Sequence, residues 1–243
     1  MTRKAVAAAL VVGIVLFALG MATTTGAQVM KNDALNAKQQ GIVTIAAFTA
    51  KGDLDKLKGA LNEGLDGGLT VNEIKEILVQ LYAYAGFPRS LNGLATFMAV
   101  MDEREKRGIK DDLGREASPL PADRSRRELG EEIQTRLVGA PVKGRVMEFA
   151  PAIDAFLKAH LFGDIFGRDN LDFQSREIAT ISALASMQGV DAQLQSHLNV
   201  GLNVGLSAAQ LRGLISVLET KVGRDEADNA DTVLNRTLSG RDK

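Results

Sequence analysis

The sequence predicts an all-α protein built from one helical unit used twice. Three observations carry this expectation. Strand patterning is nearly absent. The apolar residues are mostly Leu, Ile, Val and Ala, with no Trp, two Tyr and nine Phe in 243 residues, which suits close helix packing better than the aromatic and β-branched surfaces of sheets. Most directly, one stretch recurs. Gly52/Gly189, Leu57/Leu194, Leu61/Leu198, Asn62/Asn199, Gly64/Gly201, Leu65/Leu202, Gly68/Gly205 and Leu69/Leu206 are identical at one constant offset, and Leu81/Leu218, Gly86/Gly223 and Asn92/Asn229 extend the register. A repeat of this length marks a duplicated structural unit.

The first element is a leader. Arg3 and Lys4 precede an uncharged apolar run from Ala5 to Leu19, and small and polar residues follow. Residues 1–27 read as a signal peptide cleaved before Gln28, which implies a periplasmic or secreted protein with no stable membrane insertion afterwards. An uncleaved anchor is the alternative reading of the same run.

The first repeat is expected over residues 33–110. Thr70-Val-Asn-Glu73 has the capping-box pattern that starts a helix. A charged connector with Pro119 and Pro121 follows over residues 111–128. The second repeat is expected over residues 129–240. Its first helix, from about Phe173 to Met187, shows Ile178, Ile181, Leu184 and Ala185 on one face. Gly189 turns the chain into a second helix with Leu194, Leu198 and Leu202 spaced four apart, and Gly205 suits a left-handed helix end. Ser207-Ala-Ala-Gln210 caps a third helix carrying Leu211, Leu214, Ile215 and Leu218. The acidic run Asp225-Glu-Ala-Asp228 suits a solvated helix start, where the helix dipole favours negative charge.

Composition excludes several classes of function. The formal net charge of −1 gives no footprint for nucleic acid. The chain has no cysteine, so disulfides, thiol nucleophiles and thiolate metal sites are out of reach. Two histidines make a His-rich metal site improbable on ligand count. We therefore expect no metal.

The pattern Arg176-Glu177-x-x-Thr180-x-x-Ala183-Leu184-Ala185, followed by His197-Leu-Asn199-x-x-Leu-Asn203-x-Gly205-Leu-Ser207, resembles the carboxymuconolactone decarboxylase family, which is related to the alkylhydroperoxidase D proteins. Two further pieces agree. Tyr82-Ala-Tyr84-Ala-Gly-Phe-Pro-Arg89 with Asn92 is similar to that family's YAG helix, and Phe162-Gly-Asp-Ile-Phe166-Gly-Arg168 to its aromatic-Gly element. The resemblance covers residues 33–240 as two copies. It implies a tandem alkylhydroperoxidase D-like helical fold and a homo-oligomer, a trimer of two-repeat chains. It also implies one of two chemistries: decarboxylation of a lactone carboxylate without cofactor, or dithiol peroxidase activity. The second is excluded here, because the two cysteine positions hold Val190 and Gln193.

The family positions that remain are Glu177 and His197. A carboxylate beside an imidazole fixes its tautomer and makes a serviceable general acid or base; the bland reading is a buried polar pair between two helices. The first copy has Gly41 and Ala60 at these positions, so each chain holds at most one complete pair, and the first copy contributes either packing or its Tyr82, Tyr84 and Arg89 to a neighbouring pocket. Arg168 is a candidate anchor for a substrate carboxylate through its fork geometry, or else a partner of Asp164 or Asp172. Arg89, after Pro88, is a second substrate-binding candidate. His160, four residues after Phe156 on an amphipathic helix, reads as a packing or surface histidine. The expected ligand is a small cyclic carboxylate or lactone; the alternative is a non-enzymatic binding or assembly protein on a degenerate scaffold.

Overall fold

Helices α1 (Ala37–Lys51) and α8 (Phe173–Ala185) occupy the centre of the molecule, and their sequences explain why. The run Gly41-Ile-Val-Thr-Ile-Ala-Ala-Phe-Thr-Ala50 is apolar or small on every side, and every one of its residues is buried. Residues 176–185 of α8 are all buried as well, Arg176, Glu177 and Thr180 among them. A helix without a polar face has to be covered all round, and the amphipathic helices do the covering.

The structure, a computed structural model, describes residues 35–241; the expected leader lies outside them. The first copy comprises α1, α2 (Leu54–Asp66), α3 (Val71–Ala85) and α4 (Phe87–Lys106). The second comprises α8, α9 (Asp191–Asn203), α10 (Ala208–Val217) with a π-helical continuation (Leu218–Val222), and α11 (Arg224–Arg241). From Leu54/Asp191 through Asp66/Asn203, Val71/Ala208 and Ala85/Val222 to Phe87/Arg224, the element bounds recur at the offset of the sequence repeat. The two copies meet along α1 and α8, and α3 also packs on α8. No strand occurs among the described residues.

The capping signals work as read. The Thr70 and Ser207 hydroxyls accept from the N–H groups of Glu73 and Gln210, whose side chains reach back to the cap N–H groups. Gly189 and Gly205 have φ of 77° and 97°, values that disfavour a Cβ. The connector is non-helical to Ser125, and helix α5 (Arg126–Val138) starts inside its predicted bounds because Ser125 and Glu128 form a further capping box. Buried Arg104 ties the connector down through Asp111 and reaches Asp66 and Asn62 on α2.

Ahead of α8 the described residues hold one further element of the second copy. Short helices α6 (Arg145–Phe149) and α7 (Pro151–Phe156) lead into a nine-residue π-helix, Leu157–Ile165. It crosses α5 at backbone contact: a Cβ on Gly130 would collide with the Lys158 carbonyl, and one on Gly163 with that of Arg126. A second core forms here from Leu137, Leu161, Phe162, Ile165, Phe166 and Val200, closed by Tyr82 and Tyr84 of the first copy.

Candidate functional site

The pair read from the sequence is a hydrogen-bonded dyad. His197 Nδ1 lies 2.8 Å from Glu177 Oε2. Glu177 is fully buried, whereas the His197 side chain keeps 15% of its surface exposed. An ionised carboxylate can only accept, so Nδ1 carries the proton in the neutral ring and Nε2 presents its lone pair. Nε2 makes no hydrogen bond among the described residues.

Local structure sets this geometry. Asp172 caps α8 by accepting from Ser175 N–H at 2.7 Å, which fixes where Glu177 leaves the helix. On α9, Leu194 and Leu198 are buried and turn His197 partly inward.

The wall of the site comes from the first copy. The Tyr84 ring stands edge-on to His197, with centroids 5.3 Å apart and planes at 80°. Its hydroxyl lies beside Thr180 and Glu177 without a well-formed hydrogen bond, and Glu177 Oε1 is likewise buried without a partner among the described residues. Burial pushes the Tyr84 pKa up, and the Glu177 charge adds to the effect. A neutral phenol and a carboxylate oxygen thus flank the imidazole.

Tyr84 is the last rung of a polar ladder on α3. Glu76, Gln80 and Tyr84 are spaced four apart on one face, and that face lies against α8. Glu76 Oε1 accepts from Arg176 Nη2 at 2.8 Å, and Glu76 Oε2 from Arg168 Nε at 2.9 Å. Gln80 donates to the Thr180 hydroxyl at 2.9 Å and to the Arg176 carbonyl at 3.0 Å, and accepts from Arg176 Nη1 at 2.8 Å. Burial lowers the Arg176 pKa, and the Glu76 charge opposes that shift. The three polar residues of the Arg-Glu-x-x-Thr motif therefore divide their work: Arg176 and Thr180 lock the copies together, and Glu177 holds the histidine. Glu76 and Gln80 escaped the sequence reading, and Arg176 and Thr180 entered it only as motif positions without a role. Their signal was polar spacing of four inside otherwise apolar helices.

The two arginine candidates lie elsewhere. Arg168 pairs with neither Asp164 nor Asp172; its Nε is held by Glu76 of the other copy. Glu76 and Tyr84 are eight residues apart, about 12 Å along the helix axis. Arg89 donates to the Ala50 carbonyl and lines a cavity of about 730 Å³ with Lys51, Met187, Gly189, Asp225 and Glu226. His197 and Glu177 are not among the residues lining that cavity.

His160 is at the surface, as expected, and is not isolated. It contacts Tyr82 through Nε2 and Asp164 through Nδ1, the latter at 2.8 Å. Among the described residues, no group of three or more His, Asp or Glu side chains could hold a metal, and no helix is long and apolar enough to cross a membrane.

The described residues thus form a duplicated all-α fold whose second copy carries the Glu177–His197 dyad beside Tyr84 of the first. The family model for the carboxymuconolactone decarboxylase family matches the chain twice, at residues 18–97 and 151–235. The chain belongs to this family. Among curated proteins none matches it.

Proposed function

We propose that this is an exported, oligomeric carboxymuconolactone decarboxylase-like protein whose second copy carries a cofactor-free decarboxylase site for a small cyclic carboxylate or lactone. The observation that carries the reading is the His197–Glu177 bond, with a fully buried carboxylate on one side of the imidazole and an unpaired Nε2 on the other. In the reaction, CO₂ leaves and the electrons of the broken C–C bond pass into an enolate. The imidazolium Nε2–H supplies the proton to carbon, Glu177 balances the charge of the ring, and solvent restores the proton. Tyr84 limits the space beside the ring. Arg168 and Arg89 remain candidate anchors for a substrate carboxylate, and either would have to act from beyond the immediate surroundings of the dyad.

One observation favours a second reading, a binding or assembly protein without catalysis. The first copy lacks the pair: Gly41 stands where the second copy has Glu177, and a Cβ there would lie 3.0 Å from Gly64 Cα. Close backbone packing has replaced the carboxylate.

The deciding experiment follows CO₂ release from a panel of lactone carboxylates. The proposal expects turnover by the wild-type protein and a loss of about 10²–10⁴-fold in His197→Asn, the usual contribution of a general acid or base. Saturable binding without CO₂ release from any compound would support the binding reading instead.

A further inference from the structure

The two tyrosines of this chain each meet one of its two histidines. Tyr84 faces His197, and Tyr82 faces His160 on the far side of the same aromatic cluster. Around His160 the groups form an ordered chain. Asp164 Oδ1 is 3.0 Å from Arg126 Nε, which orients the carboxylate. Asp164 Oδ2 accepts from His160 Nδ1 at 2.8 Å. Since a carboxylate cannot donate, this fixes the tautomer, leaves Nε2 as the acceptor, and makes the Tyr82 hydroxyl the donor to it. The order acid, imidazole, hydroxyl is that of a nucleophile activated by an oriented base.

The chain is open to solvent. The His160 side chain is 50% exposed, and Tyr82 stacks on Phe87, with centroids 4.3 Å apart, planes 15° apart and Phe87 itself 61% exposed. The outer face of Phe87 offers an aromatic group a stacking surface beside the phenol oxygen.

We propose that Tyr82, activated by His160 and Asp164, is a second reactive centre that accepts acyl groups from activated aryl esters. The Tyr82 oxygen attacks the ester carbonyl carbon while His160 Nε2 takes the phenol proton. The bond to the aryloxide breaks, and Nε2 returns that proton to the leaving oxygen. The products are O-acyl-Tyr82 and a phenol; water, deprotonated by the same nitrogen, then releases the carboxylic acid and restores Tyr82. No part of this rests on the His197 site.

The chain provides its own control. Residues 76–89, the tryptic fragment between Lys75 and Arg89, contain both tyrosines and no Lys, His, Ser, Thr or Cys, so an added acetyl group there reports on the two phenols alone. The Tyr84 hydroxyl is buried and has no such relay, so Tyr84 serves as the internal reference. The full chain is exposed to p-nitrophenyl acetate at neutral pH, and the fragment is followed by mass spectrometry in wild type, His160→Asn and Tyr82→Phe. The expected result is acetyl on Tyr82 and none on Tyr84, slowed about 10²-fold in His160→Asn and absent in Tyr82→Phe. His160 is exposed enough that its replacement should leave the melting temperature unchanged, which the same samples check. An unmodified Tyr82, or equal labelling in wild type and His160→Asn, would overturn the proposal.

Discussion

At the scale of single residues, Glu177 carries the most consequence. It is a buried carboxylate with one oxygen on His197 and the other without a partner. Glu177→Gln keeps the size and loses the charge that favours the Nδ1–H tautomer, so any turnover should fall about 10²-fold, the scale of a misplaced catalytic group. Tyr84→Phe separates stability from function. A buried hydroxyl without a good hydrogen bond costs about 1–3 kcal/mol, so its removal should raise the urea midpoint, by about 1 kcal/mol in free energy. If Tyr84 also shapes the site, activity falls while stability rises. Glu76 behaves in the opposite way. Glu76→Ala leaves the fully buried Arg176 without its carboxylate, and urea unfolding should show a loss of about 3–5 kcal/mol. An unchanged midpoint would mean that Arg176 finds other partners.

At the scale of elements, the contact between α5 and the π-helix rests on two glycines. Gly130 and Gly163 let the two backbones touch, which places His160 and Asp164 along one side of the π-helix. Gly130→Ala should destabilise the fold by about 1–3 kcal/mol, the usual cost of overpacking, and should move the Tyr82 and His160 resonances in NMR spectra. Helix positions, caps and turns were legible in the sequence, because spacing of four among leucines and Ser or Thr before Glu or Gln act locally. The dyad was legible too, since Glu177 and His197 lie on consecutive helices of one copy. The pairings of Arg168 and Arg176 with Glu76, and of Thr180 with Gln80, were not. They join residues about a hundred positions apart across the two copies, and no local period encodes which polar rung meets which.

At the scale of the whole molecule, the connector holds the duplicated unit together without a core of its own. Ser118 donates its backbone N–H and its hydroxyl to Asp169, and with Arg115 this holds the Asp169 pKa down to about 2. A depressed carboxylate pKa stabilises the folded state above the ordinary value near 4, and the gain is lost as pH falls through about 2. The Ser118 amide should therefore exchange more slowly in wild type than in Asp169→Asn near pH 6, with the difference shrinking as pH falls through about 2. Phe149, 91% exposed, and Val146 and Phe156 leave apolar surface on α6 and α7, of the kind that marks interaction sites. If chains assemble as proposed, sedimentation should give a multiple of the 25.9 kDa chain mass, less any cleaved leader.

The measurement that tests the central claim most directly is the nitrogen spectrum of the histidine rings. With two histidines in the chain, two rings appear, and His160→Asn assigns them. Neutral His197 is expected to carry its proton on Nδ1, Glu177→Gln to disturb this ring and not His160, and a lactone carboxylate to shift the bare Nε2. A His197 protonated on Nε2, indifferent to Glu177→Gln and to every compound tried, would contradict the claim.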